Sequence, residues 1–351
     1  MIRWFREIRL DDRPTVGGKG ASLGELARAG INVPPGFVVA TEAYTRFIDA
    51  IDPRRELRRR IERLEANDTA SVTKVATEVR AQIEKAPVPK DVHAALTKAY
   101  ATLCASERDA PVAVRSSATS EDSDEASFAG LQDTYLWVRG ADSVVTQLRR
   151  CWASLYSEPS VSYRRRLKLP EEHVAMAVVV QRMVNARCAG VMFTRSPTTG
   201  DRSVIAIEAA WGLGSAMVSG EVTPDRYVVS KVTLDISKRT VSPKLIRHVP
   251  VPAGGVREEE VPAAMQSVPC LSDEQVKEVA RVGKRIEQHY GKAQDIEWAM
   301  DESGKFPDNL YLLQSRPETV WASRSQEPIA KPAASAMDHV LAALSGGLKR
   351  K

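Results

Sequence analysis

Asp295-Ile296-Glu297-Trp298-Ala299-Met300 and Leu310-Tyr311-Leu312-Leu313-Gln314-Ser315-Arg316 are two strand-patterned runs joined by a turn-rich segment holding Ser303-Gly304 and Pro307-Asp308-Asn309. They predict an antiparallel hairpin with a long connection. Period-two alternation sets Asp295 and Glu297 on one face of the first run, and Leu310, Leu312, Gln314 and Arg316 on one face of the second. A carboxylate, an amide oxygen and a guanidinium then converge. Magnesium takes hard oxygen ligands, commonly one or two carboxylates plus substrate phosphates, so Glu297 and Gln314 suit the metal and Arg316 a phosphate. An exposed hairpin with ordinary polar residues is the competing reading, weakened by polar groups set inside apolar runs.

Working outward, Pro111-Val112-Ala113-Val114 reads as a buried strand that delivers Arg115-Ser116-Ser117 to its end. A guanidinium flanked by two hydroxyls is a candidate phosphate grip, with a buried structural arginine as the alternative. Gly17-Gly18-Lys19-Gly20 precedes a helical pattern, Ala21 to Ala29, stopped by Gly30. A lysine at a helix N-terminus favours phosphate, although the pattern is not the GxxxxGK[ST] loop, and a structural turn remains open. The small-residue stretch Ser127-Phe128-Ala129-Gly130-Leu131-Gln132-Asp133-Thr134 has the composition of a flap that closes over phosphates, or of a plain surface loop. Residues 75–104 read as helical, Thr41 as a helix cap, 141–156 as a helix, and Val174 to Val184 as a buried strand ending in Gln181-Arg182-Met183-Val184. Glu208 ends a further apolar strand before Trp211-Gly212-Leu213-Gly214, and a carboxylate there can hydrogen-bond ribose hydroxyls. His93, His173, His248, His289 and His339 lack an evident partner motif and read as surface or packing residues.

Composition limits the function classes. The 351 residues are 43% hydrophobic and 27% charged, enough for a large core and incompatible with wholesale disorder. Of the formal excess of +5, much lies in residues 321–351, which hold five basic and two acidic side chains. A near-neutral body without a groove-reading motif argues against a nucleic-acid partner. Cys104, Cys151, Cys188 and Cys270 are widely spaced, with no metal-ligand pattern. The most apolar stretch, Val174 to Val180, falls far below a bilayer span, so a cytoplasmic protein with no membrane association is expected.

Taken in order, Gly17-Gly18-Lys19-Gly20-Ala21-Ser22-Leu23-Gly24-Glu25, Val33-Pro34-Pro35-Gly36-Phe37, Arg115-Ser116-Ser117-Ala118-Thr119-Ser120-Glu121-Asp122, Ser127-Phe128-Ala129-Gly130, Gly190-Val191-Met192-Phe193-Thr194, Trp211-Gly212-Leu213-Gly214, Asp295-Ile296-Glu297-Trp298 and Gln314-Ser315-Arg316-Pro317 closely resemble the nucleotide-binding domain of the phosphoenolpyruvate synthase and pyruvate phosphate dikinase family. The resemblance covers residues 1 to about 320. It implies an α+β ATP-grasp fold with ATP between two lobes: 1–184, including the flap, and 185–320, carrying magnesium, followed by a linker and basic tail at 321–351. Carried over residue by residue, it implies that Lys19, Arg115 and Arg316 hold the phosphates as the catalytic cations. Glu297 and Gln314 bind Mg2+, Gly130, Gln132, Asp133 and Thr134 belong to the flap, Gln181, Met183 and Val184 line the adenine pocket, and Glu208 meets the ribose. Ser215 departs from the pattern, since relatives often have an acidic residue after the glycine.

Family members of the synthase type continue into a swivelling domain with a phosphorylatable histidine and then an acceptor domain. ATP is cleaved to AMP and phosphate while the β-phosphoryl group passes to that histidine. The resemblance therefore implies a histidine on a partner subunit, as in phenylphosphate synthase, where a separate ATP-binding subunit serves a histidine-bearing one that phosphorylates phenol. The ATP-binding part of a phosphoenolpyruvate synthase or of a rifamycin-type phosphotransferase is the alternative, and a non-catalytic ATP sensor a third. Intact Lys19, Arg115, Glu297, Gln314 and Arg316 argue against the sensor.

Overall fold

The computed structural model describes residues 1–119 and 133–321. In chain order the elements are β1 (Ile2–Trp4), α1 (Arg13–Arg28), β2 (Gly36–Val39), α2 (Thr41–Ile51), α3 (Glu56–Glu62), α4 (Thr69–Lys85), α5 (Lys90–Leu103), β3 (Val112–Ala118), β4 (Thr134–Val138), α6 (Ala141–Ser154), α7 (Glu158–Arg166) and β5 (Met176–Arg182). There follow β6 (Ala186–Phe193), β7 (Val204–Trp211), α8 (Ser215–Val218), β8 (Asp225–Ser230), β9 (Ile236–Thr240), β10 (Ile246–Pro250), β11 (Val256–Glu260), α9 (Ala263–Gln266), α10 (Asp273–Tyr290), β12 (Gln294–Asp301) and β13 (Leu310–Pro317). Helix and sheet are mixed, in agreement with the α+β expectation.

The first sheet is antiparallel in the order β1-β2-β5-β3-β4. Its central strand β5 is apolar from Met176 to Val180 because both faces are covered there. Val178 and Val180 enter a large cluster with Phe47, Leu96 and Trp152 from the helices, while Ala177 and Val179 pack against Leu23 and Val16 of α1. In α1 the helical backbone breaks at Gly17, whose φ is 71°, and a Cβ there would lie 2.1 Å from the Ser117 carbonyl oxygen. Only glycine fits that approach. The strand β3 runs through Arg115-Ser116-Ser117 instead of delivering them to its end, so Arg115 sits mid-strand and buried. The helix expected over 75–104 is two, divided at Ala86-Pro87-Val88-Pro89, where proline lacks the N–H a helix needs. Thr41 is the first residue of α2 and Ala40 its cap position.

The second sheet is antiparallel in the order β13-β12-β6-β7-β8-β9. Helix α10, opened by the Ser272–Gln275 capping box, covers one face through Val279, Ala280 and Ile286 against Ile207, Ile296 and Trp298. The expected β12–β13 hairpin forms, but not with the simple alternation read from sequence. Glu297 pairs with Gln314 and the next residue, Trp298, pairs with Leu312, so Leu313 is an extra residue in β13. This bulge inverts the faces. Leu310 and Leu312 enter the α10 core, whereas Gln314 and Arg316 share the opposite face with Glu297 and Asp295.

A separate hairpin, β10–β11, is tied at its base by the Leu213 N–H donating to the His248 carbonyl at 3.0 Å, and at its tip by the Gly255 N–H donating to the Trp137 carbonyl at 2.9 Å. Met1–Pro317 form one compact unit. Beyond it, the Trp321 N–H donates to Glu318 Oε1 at 2.7 Å. Among the described residues no helix is long and apolar enough to cross a membrane.

Candidate functional site

Arg115 organises the site. Its Nη2 donates to Gln314 Oε1 at 2.6 Å and to Glu297 Oε2 at 3.0 Å, and its Nη1 donates to the Leu313 carbonyl at 3.1 Å. The side chain is 11% exposed, and its Nε is buried without a hydrogen-bond partner among the described residues. A buried cation needs such partners, and they come from β12 and β13, which places β3 against the bulged hairpin. Lys19, half-buried just after the break in α1, donates from Nζ to the Ser116 carbonyl at 3.0 Å. The two hydroxyls expected to help grip phosphate are engaged elsewhere. Ser117 Oγ donates to the Val16 carbonyl at 2.9 Å and accepts from the Gly20 N–H at 3.1 Å, capping the restarted helix, and Ser116 Oγ donates to the Asp133 carbonyl.

These groups open onto a cavity of about 640 Å³ that takes walls from both sheets. One end is charged, with Lys19, Arg115, Glu297, Gln314 and Arg316. Another part is apolar, where Val184, Ala189 and Ala299 cluster with Leu313. Gln181 and Met183 also line it; Gln181 is 2% exposed, and the Met183 N–H is held by the Pro111 carbonyl at 2.9 Å. Such a division suits an amphiphilic ligand, a planar base beside a polyanion. Arg316 is half-exposed, and its Nε lies 3.5 Å from Asp295 Oδ2, so it can swing toward an anion at small cost.

Thr134 stands opposite Arg115 across β3–β4 and lines the cavity. The Asp133 carboxylate accepts from Arg80 Nη2 at 2.9 Å and from the Tyr135 hydroxyl at 2.8 Å, tying it to α4 and β4. Burial, reinforced by that carboxylate, pushes the Tyr135 phenol well above its ordinary range. Gly130 and Gln132 lie outside the described residues. Glu208 follows from strand register: Gln314, Glu297, Val191, Glu208 and Arg226 form one cross-strand row on the cavity-side face of the second sheet. Its carboxylate pairs with Arg226 at 3.0 Å, leaving it two strands from Glu297. Gly190, next to Val191, leaves no room for a side chain, since a Cβ there would stand 1.9 Å from the Glu208 carbonyl oxygen and 2.6 Å from the Trp298 ring.

The donor set fits a magnesium ion. Two hard oxygens, one carboxylate and one amide, are cross-strand neighbours and converge on a single cationic nitrogen, Arg115 Nη2. Sequence reasoning missed two features of this wall. The Leu313 carbonyl holds Arg115, a backbone contact that side-chain patterning does not encode. Ser215 lines the cavity with its hydroxyl on His248, and their distance in sequence hides the pairing.

Comparison with known proteins adds the following. Residues 13–337 match the family described as pyruvate phosphate dikinase, AMP/ATP-binding domain. A probable phosphoenolpyruvate synthase of Methanocaldococcus jannaschii is 44% identical over 94% of this chain and 28% of its own length. A probable phosphoenolpyruvate synthase of Staphylothermus marinus is 43% identical over 93% of this chain and 42% of its own. The phosphoenolpyruvate synthase of Aeropyrum pernix is 42% identical over 95% of this chain and 44% of its own. The chain thus spans less than half the length of each of these relatives.

Proposed function

Because the chain belongs to the pyruvate phosphate dikinase AMP/ATP-binding domain family, we propose that it is the ATP-binding part of a dikinase-type phosphotransferase that cleaves ATP to AMP and phosphate and passes the β-phosphoryl group to a histidine on a partner subunit. The observation that carries this reading is the convergence of Arg115, Glu297 and Gln314 at the charged end of a cavity whose other part is apolar. The two sheets correspond to the lobes of an ATP-grasp fold, with adenine against Val184 and its neighbours and the phosphates between Lys19, Arg115 and Arg316.

Phosphoryl transfer asks little covalent chemistry of a protein and much positioning and charge neutralisation. Lys19 from α1 and Arg115 from β3 supply fixed positive charge on one side, and Arg316 from β13 supplies a mobile one on the other. Glu297 and Gln314 would hold Mg2+, which when bound neutralises phosphate charge. Burial lets water screen the Arg115 charge less than that of a surface arginine, and Glu297, its ion-pair partner, holds it in place for a phosphate. Thr134, at the end of the flap segment, faces the same anion.

The final acceptor has two readings. A separate histidine-bearing subunit would serve phenol or a similar small molecule, in the manner of phenylphosphate synthase. The names of the relatives favour pyruvate instead. Incubating the chain with β-labelled ATP, Mg2+ and an extract of its source, then with phenol or pyruvate, tests both. An acid-labile label on a second polypeptide, AMP release, and label loss to one acceptor are expected. ATP binding with neither label nor AMP would refute the transferase reading in favour of a sensor.

A further inference from the structure

Ser215 Oγ lies 2.8 Å from His248 Nδ1, and His248 Nε2 lies 3.0 Å from a Glu221 carboxylate oxygen. The three residues come from the start of α8, from β10 and from the segment after α8. Glu258, opposite His248 in the β10–β11 pair, brings a second carboxylate oxygen within 4.8 Å of a His248 ring nitrogen and of a Glu221 carboxylate oxygen. The histidine is also fixed through its backbone. Its carbonyl accepts from the Leu213 N–H, and a Cβ on Gly212 would stand 2.5 Å from that oxygen. Ser215 itself lines the cavity beside Leu213 and Gly214.

Hydrogen-bond chemistry gives this chain a direction in the neutral imidazole, which carries one N–H: a carboxylate only accepts, so Glu221 on Nε2 fixes the proton there. Nδ1 is then a bare acceptor, and Ser215 donates its only proton to it. The hydroxyl then has only acceptor lone pairs left for a ligand, whereas an untethered serine can donate or accept.

We infer that Ser215 is a specificity-determining contact that accepts a hydrogen bond from a hydroxyl or amino group of the bound nucleoside, with His248 and Glu221 as positioning residues that set its polarity. The inference rests on the ATP-binding reading. The hydrogen-bond donors of ATP at neutral pH are the two ribose hydroxyls and the adenine amino group, so the contact is confined to these three.

The test titrates the full chain with ATP, 2′-deoxy-ATP, 3′-deoxy-ATP and the purine riboside triphosphate lacking the amino group, comparing wild type with S215A, H248N and E221K. Wild type binds one analogue about tenfold more weakly than ATP. That gap closes in S215A and persists in H248N, whose amide oxygen still accepts from Ser215. It narrows in E221K, because an ammonium donating to Nε2 moves the ring proton to Nδ1, which takes up one Ser215 lone pair and frees its O–H to donate. Equal discrimination by wild type and S215A, or none by wild type, overturns the inference while leaving ATP binding intact. An unchanged gap in E221K overturns the polarity argument, and failure of wild type to bind ATP defeats the functional reading itself.

Discussion

Replacing Glu297 by Ala separates what the carboxylate does for the fold from what it does for the ligand. In the fold, the change removes one charge-assisted hydrogen bond from Arg115, which keeps Gln314 Oε1 at 2.6 Å and the Leu313 carbonyl at 3.1 Å. Such a bond contributes about 1.5–3 kcal/mol. Glu297 retains 34% of its side-chain exposure, so the lower end applies. For a body of this size that lowers the melting temperature by about 2 °C. At the site, the metal loses its only carboxylate among the groups proposed to hold it, and a misplaced transition-state contact costs roughly 2.7–4 kcal/mol, a hundredfold or more in AMP formation. Calorimetric titration with ATP, with and without MgCl2, reads the effect without a partner protein. Wild type gains affinity on adding magnesium; E297A does not, and its melting temperature moves only slightly. Retention of the magnesium-dependent gain in E297A would refute the metal assignment. A fall of more than about 10 °C would show that the residue serves mainly to hold Arg115.

Gly17→Ala meets the Ser117 carbonyl oxygen at 2.1 Å from a positive φ, so it should destabilise the fold by about 2–4 kcal/mol and weaken ATP binding through Lys19; thermal melts and the same titration check both. Arg115→Met leaves the Glu297 carboxylate without its partner, and ATP affinity should fall at least tenfold in the same calorimetric measurement, whereas unchanged affinity would remove Arg115 from the phosphate site. Burial pushes the Cys188 thiol up to about 11 and raises Cys151 and Cys270 further. Below the unfolded-state pKa both states hold the proton, so nothing changes; between about pH 9 and 11 the folded thiols retain protons that the unfolded chain has lost, and stability falls with rising pH. Urea melts across that range should show the decline, with a shallower slope in Cys188→Ala. In the native state at pH 8 a thiol reagent should modify Cys104 alone of the four, since the others are buried.

Much of the site was legible because its residues sit in short local patterns. Asp295-Ile296-Glu297-Trp298 carries its polarity in period two, and the structure keeps Glu297 on the face the alternation indicates. Arg115 was found from its place in an apolar run, although the sequence did not say that β3 continues through it, because serines are compatible with either a strand or its end. Less legible were the pieces that depend on distant partners. The strands β8 to β11 alternate weakly and were not anticipated, since their pairing is set by β7 and by each other. The break in α1 was visible as glycines, but its cap comes from Ser117, 97 residues away in sequence. His248 looked ordinary because its partners belong to other segments.

The extra residue at Leu313 makes β13 a strand with two owners. Its first half answers to the hydrophobic core and its second half to the ligand, and the phase slip between them lets each be altered without disturbing the other. Removing Leu313 would set Gln314 directly after Leu312, and ordinary alternation would then keep the leucines against α10 and Gln314 and Arg316 opposite Glu297 and Asp295. One deletion, adding no charge, would thus straighten the ladder, leave both polar groups at the cavity, and cost Arg115 the Leu313 carbonyl that its Nη1 holds at 3.1 Å.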